Sequence, residues 1–155
     1  MYFQNKSISM SVSSFDIYLS FSEENDIVMN LKRQLIDLNY NIYDSSIATN
    51  NLDLKKMSYL EISNHVVKMF KNTSCIIVCL SLKSLKTHLQ IIELNKLLDN
   101  SFEYNNNKLI YLITDIRYLP LLVDSKKNKN IYFPYYNQET INDSFEIIVN
   151  ILQLL

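Results

Sequence analysis

The chain is 155 residues long, 48% hydrophobic and carries a formal net charge of -1. One domain with a real core fits that length and two do not, and the near-neutral balance argues against a nucleic-acid or anionic-membrane partner, which needs a clustered cation excess. The chain contains no glycine, which rules out a Walker phosphate loop, a GxGxxG dinucleotide fingerprint and a GxSxG nucleophile elbow together.

Residues 1–13 are polar and read as a flexible tail, leaving 14–155 as one domain. This N-terminal stretch lacks the basic-then-apolar order of a signal peptide. No apolar run approaches the roughly 20 residues needed to span a bilayer, so the sequence reads as a cytoplasmic domain. "FDIYLSF" (15–21) is an apolar, aromatic run of strand length, and Ile27, Val28, Leu31, Leu35 and Leu38 then recur at helical spacing. "NIY" (41–43) is a short second strand that leads into Asp44 and a polar loop from Ser45 to Leu52. Helical spacing returns from Leu54 to Lys71, with Asp53 as N-cap and Leu54, Met57, Leu60, Val67 and Phe70 facing inward. "SCIIVCLS" is a third strand, continuous in its hydrophobicity rather than alternating, as in strands covered on both faces.

Thr87 opens the next helix, with Gln90 three residues on in a capping-box pattern. "KLIYLIT" (108–114) is a fourth strand and "IYF" (131–133) a short fifth. Ile141, Phe145, Ile148, Leu152 and Leu155 place a final amphipathic helix on the sheet. Alternating strands and helices with short connections predict a flavodoxin-like three-layer sandwich, a parallel five-stranded sheet with helices on both faces. Ligands of such sheets collect outside the carboxyl ends of the strands, near the switch in strand order, so the segments just past Phe21, Tyr43 and Ser81 share one rim.

With no glycine, left-handed backbone positions fall to asparagine, the next most tolerant residue. Asn50, Asn51, Asn100, Asn105 to Asn107, Asn128 and Asn130 lie between periodic segments and read as turns and helix ends. Cys75 and Cys79 point to one face of the third strand about 13 Å apart, at roughly 3.3 Å per residue. That is too far for a disulfide, and no other ligand candidates lie near enough for a metal. Lys126, Lys127 and Lys129 read as a solvated loop. Neither His65 nor His88 has a serine or cysteine nucleophile in a triad arrangement, and both are placed on helix surfaces.

Several segments follow one familiar order. "SFDIYLSFS", with Phe15, Asp16, Ser20 and Phe21, resembles the first box of Toll/interleukin-1 receptor (TIR) domains. "LKRQLIDLNYNIYD", closing on Asp44, resembles that family's first helix and second strand, and "TSCIIVCLS" its central strand, with Thr73 at a usually serine position. "SLKSLKTHLQIIEL" then resembles the serine, hydroxyl, short helix and Glu-Leu pattern through Ser81, Thr87, Glu93 and Leu94. Three departures accompany the match: Leu89 stands where the family usually has an aromatic, the glycines common after the second strand are replaced by asparagines, and Ser22 and Glu23 follow the first strand where many members carry basic or polar residues.

The resemblance implies a signalling or defence protein that acts by assembly with other TIR domains, itself a homo-oligomer on activation. It also implies cleavage of NAD+ in some members. NAD+ is then a substrate, and no resident cofactor or metal is implied. Glu93 is the implied catalytic carboxylate: nicotinamide leaves as a neutral molecule from an already cationic ring, so one acid suffices to hold the ribose and stabilise charge on the sugar. Phe21, Ser22, Asp44 and Leu89 are the implied substrate contacts, with the Ser45–Leu52 loop closing over them.

Spacing alone gives Glu93 a different setting. Ile91, Leu94 and Leu98 form the buried stripe of its helix, with Glu93 nearly opposite beside Leu89, off the core and within reach of the ligand rim. A solvated helix glutamate satisfies the same constraints. The alternative to an enzyme is therefore a catalytically silent TIR adaptor, which Leu89 favours because leucine offers no ring for stacking. A response-regulator receiver shares the architecture, but Ser20, Phe21, Ser81 and Pro134 occupy or border the places of its acidic pair, phosphoacceptor and lysine.

Overall fold

The computed structural model describes residues 15–81, 84, 87–98, 108–113, 131–132 and 141–152. The tail, the lysine cluster, Pro134, Leu155, Asn100, Asn105 to Asn107, Asn128 and Asn130 lie outside the described residues. In chain order the elements are β1 (Phe15–Ser20), α1 (Asp26–Asp37), β2 (Ile42–Asp44), α2 (Ser45–Asn51), α3 (Tyr59–Lys71), β3 (Thr73–Leu80), α4 (His88–Leu98), β4 (Lys108–Ile113), β5 (Ile131–Tyr132) and α5 (Ile141–Leu152).

The five strands form one sheet in the order β2-β1-β3-β4-β5, and every neighbouring pair is parallel. This is the flavodoxin-like order, and the chain reverses direction across the sheet between β1 and β3. Alternation along the strands builds two cores. Ile17, Leu19, Cys75, Ile77, Cys79, Ile110 and Leu112 meet α1 through Val28, Leu31 and Leu35, and α5 through Ile148 and Leu152. Tyr18, Ile76, Val78, Leu80, Leu109 and Tyr111 meet α2, α3 and α4 on the other face through Ala48, Ile62, Val66, Phe70, Leu89 and Ile92. Helices therefore cover both faces, which explains why β3 is hydrophobic at successive positions. Both cysteines are buried on one face of β3 and neither is in a disulfide.

Cap chemistry sets the helix starts. The Asn25 side chain accepts from Val28 N at the start of α1, 3.0 Å away. At α3, Ser58 and Glu61 form a reciprocal capping box. The predicted helix from Leu54 with an Asp53 cap thus begins five residues later than spacing implied. Leu54 and Met57 pack against the core from the preceding turns, while Leu60, expected inside, is 66% exposed. The Ser45–Leu52 segment is largely a helix rather than a loop, because Asp44 caps it through Ile47 N and Ala48 gives it a buried contact. Asn51 ends α2, as expected for a helix end. The single left-handed residue among those described is Asn39, φ 69°, in the connection from α1 to β2. The chemistry expected of asparagine is realised there, at a position the spacing argument passed over.

Candidate functional site

A cleft of about 270 Å³ opens at the carboxyl end of the sheet, where the strand order switches. Phe21, Ser22, Glu23 and Glu24 come to it from the end of β1. Ser45, Ser46, Thr49 and Asn50 on α2 form the opposite wall, and Thr87 and Leu89 enter from the start of α4. Serine hydroxyls fix this rim. Ser45 Oγ accepts from Phe21 N at 3.0 Å, tying α2 to β1. Ser22 Oγ and Ser81 Oγ lie 2.9 Å apart, tying the end of β1 to the end of β3.

Of the four residues assigned to substrate contact by resemblance, the fold brings Phe21, Ser22 and Leu89 to this cleft. Phe21 and Leu89 are also core residues, each almost wholly buried, so each shows the cleft only an edge. Asp44 does not line it. It is 1% exposed, caps α2 at Ile47 N, 2.9 Å away, and pairs with Lys32 Nζ at 2.8 Å. Lys32 also reaches Glu24 Oε1 at 3.0 Å and so links the β1 rim to the base of α2. Burial by itself would lower the Lys32 ammonium's pKa, but the bonds to Asp44 and Glu24 outweigh it and the net direction is upward.

Glu93 is not where helical spacing placed it. It is 0% exposed and faces β1. Ser20 Oγ donates to its Oε1 at 2.8 Å, and the Tyr18 hydroxyl donates to its Oε2. Gln90 completes the group: its Nε2 donates to Ser20 Oγ at 3.2 Å and to the Cys79 carbonyl at 3.1 Å. The expected capping box of Thr87 with Gln90 is therefore not formed, and Gln90 Oε1 is buried without a partner.

The inward face of α4 carries Leu89, Gln90, Ile92, Glu93, Leu94 and Leu97. Ile91, assigned to the buried stripe, is only half-buried, and the side chain of Leu98 lies outside those described. α4 is buried over a wide arc of mixed chemistry, so a three-residue stripe could not define its inner face.

Burial sets the protonation chemistry here. Glu93 is pushed up to about 7 by desolvation, against the lowering effect of its bonds from Tyr18 and Ser20. Tyr18 is raised well above the usual phenol range by burial and then by Glu93. Tyr43, whose hydroxyl pairs with His65 Nε2 at 2.8 Å, is pushed up to about 12 by burial, then by Glu93 and Asp44. His65 is thus a half-buried partner of Tyr43 rather than a plain surface histidine, while His88 is exposed. A carboxyl in this setting takes two hydroxyl hydrogen bonds and is near half-protonated at neutral pH, and it presents no oxygen to the cleft.

Sequence reasoning passed over Tyr18 and Lys32, and gave Gln90 only a capping role. The signal for the first was available: Tyr18 and Ser20 alternate onto one face of a buried strand, and two inward hydroxyls need an acceptor.

No family model matches the chain, and the comparison with curated proteins found no match. Among solved structures, the TIR domains of the activated Roq1 resistosome directly recognizing the pathogen effector XopQ match it at 15% identity. The match covers 90% of this chain and 84% of that chain, with a TM-score of 0.47. It assigns no role to any residue. Among the described residues, no helix is long and apolar enough to cross a membrane, and no cluster of histidine, cysteine and carboxylate side chains could hold a metal ion.

Proposed function

We propose that this chain is a TIR-like signalling module that acts by associating with like domains, holds a small ligand in the switch-point cleft, and does not turn NAD+ over while α4 is docked as described. The observation that carries the second half is the burial of Glu93, whose two oxygens are both taken by β1 hydroxyls. An acid that must stabilise charge on a ribose has to present an oxygen to it, and here Leu89 lines the cleft in its stead. The first half is supported by the ordered boxes from Phe15 to Leu94 and by the parallel sheet they fold into.

The second reading is NAD+ nucleosidase chemistry centred on Glu93, and one observation favours it. Phe21, Ser22 and Leu89 converge on one cleft, and Glu93 follows Leu89 by one helical turn, so a modest motion of α4 would bring its carboxylate to the floor.

Concentrated protein incubated with NAD+ at pH 6, where the Glu93 carboxyl keeps its proton, separates the two. The module reading expects no nicotinamide release above a protein-free blank from either the parent or Glu93→Gln. Release by the parent that Glu93→Gln abolishes would establish the nucleosidase instead. Self-association is read from the same samples by sedimentation, and a strict monomer at every concentration would remove assembly from the proposal.

A further inference from the structure

Glu93 binds α4 to β1 without a countercharge. β1 offers it the Tyr18 and Ser20 hydroxyls. From β2, Tyr43 and Asp44 stand behind Tyr18, and Asp44 is committed to Lys32. α3 contributes His65 through Tyr43, with Lys68 acting on His65. α4 itself contributes Gln90, which reaches the Cys79 carbonyl of β3. Among the described residues no ammonium or guanidinium forms an ion pair with Glu93.

We propose that Glu93 is a proton-operated latch: α4 stays docked on β1 while the carboxyl keeps its proton, and loss of that proton releases the start of α4 and opens the floor of the cleft beneath Leu89. A neutral carboxylic acid is both donor and acceptor and suits a site made of hydroxyls. An ionised one in the same place must be desolvated with no cation beside it, a cost that two hydroxyl donors offset only in part.

The hold opposing that cost is weak on the helix side, because Gln90 Oε1 is buried unpaired. Leu89, Gln90 and Glu93 lie within about one turn, so a helix that gives up Glu93 also withdraws Leu89 from the cleft and Gln90 from Ser20. The titration of Glu93 near 7 rather than 4.5 places the release in the neutral range. The folded acid is the weaker one, so docking is strongest below about pH 4.5 and is lost progressively as pH rises through about 7.

The consequence for ligand access rests on the cleft reading above, but the latch is measured with no ligand present, so either can fail without the other. Amide hydrogen exchange of the whole chain is followed at pH 6 and pH 8 and corrected for intrinsic rates, with α1 as the internal reference. The latch predicts about a tenfold loss of α4 protection relative to α1 between the two pH values, and none in Glu93→Gln. Equal α4 protection at both pH values in the parent, or the same loss in Glu93→Gln, overturns the proposal. Ser20→Ala removes one of the two donors to the carboxyl and a partner of Gln90, so α4 must lose protection relative to α1 already at pH 6. Unchanged α4 protection at pH 6 in Ser20→Ala overturns the proposal even if Glu93→Gln does not fold.

Discussion

Asp44 and Glu93 are two carboxylates buried to the same degree, at 1% and 0% exposure, in opposite electrical settings. Asp44 sits at the end of β2 with an ammonium at 2.8 Å and a backbone amide at 2.9 Å. Glu93 sits against the middle of the sheet with two hydroxyls and no cation. Burial therefore does not decide what a carboxyl does; the charge of its neighbours does. The Asp44 end is a fixed joint that clamps α1, β2 and α2 together. The Glu93 end is held by groups whose fit depends on a proton.

Substitutions that remove or add to one side break this comparison in turn. Lys32→Met strands a buried carboxylate and should lower stability by about 3 kcal/mol at pH 7, the bottom of the range for a broken buried pair because Lys32 retains 27% exposure. Chemical denaturation measures it, and a loss near zero would show the pair to be a surface contact. On the other side, the parent should lose about 2 to 3 kcal/mol between pH 5 and pH 8 from Glu93 alone, since its folded pKa is raised from 4.5 to about 7. Glu93→Gln should remove most of that slope, leaving the variant more stable than the parent at pH 8. Ser58→Ala removes the α3 capping box and touches neither carboxylate. It should cost about 1 kcal/mol at every pH between 5 and 8, which makes it the control for helix loss without a charge. Smallest is Met29→Ser on the exposed face of α1, expected to stay within about 0.5 kcal/mol.

The same contrast explains what the sequence could disclose. Strand positions were legible because β1, β3 and β4 are short, mainly apolar runs without helical spacing, and they fell within a residue or two of their observed limits. The parallel order followed from alternation with helices. Helix starts were less so: a periodic pattern at Leu54 and Met57 comes from turns that pack on the core, and only the Ser58 and Glu61 cap marks the true beginning. The Ser45–Asn51 helix was hidden by its polar residues, although Asp44 in cap position was on view.

Half of the candidate site was legible as well. Phe21, Ser22 and Leu89 reach one cleft because strand ends share a rim. Glu93 was placed on the wrong face because apolar periodicity assumes that polar residues point outward. In α4 two polar residues, Gln90 and Glu93, are buried with the leucines, and their partners are hydroxyls 70 or more residues away in sequence. A one-dimensional pattern of a single helix contains no trace of such a pairing.

The most direct test of this account is a carbon-13 titration of the Glu93 side-chain carboxyl in the intact chain. A midpoint near 7, moving upward in Ser20→Ala, is the predicted result. A midpoint near 4.5, the ordinary value for a glutamate, would mean that the carboxylate is solvated and that α4 does not seal it against β1.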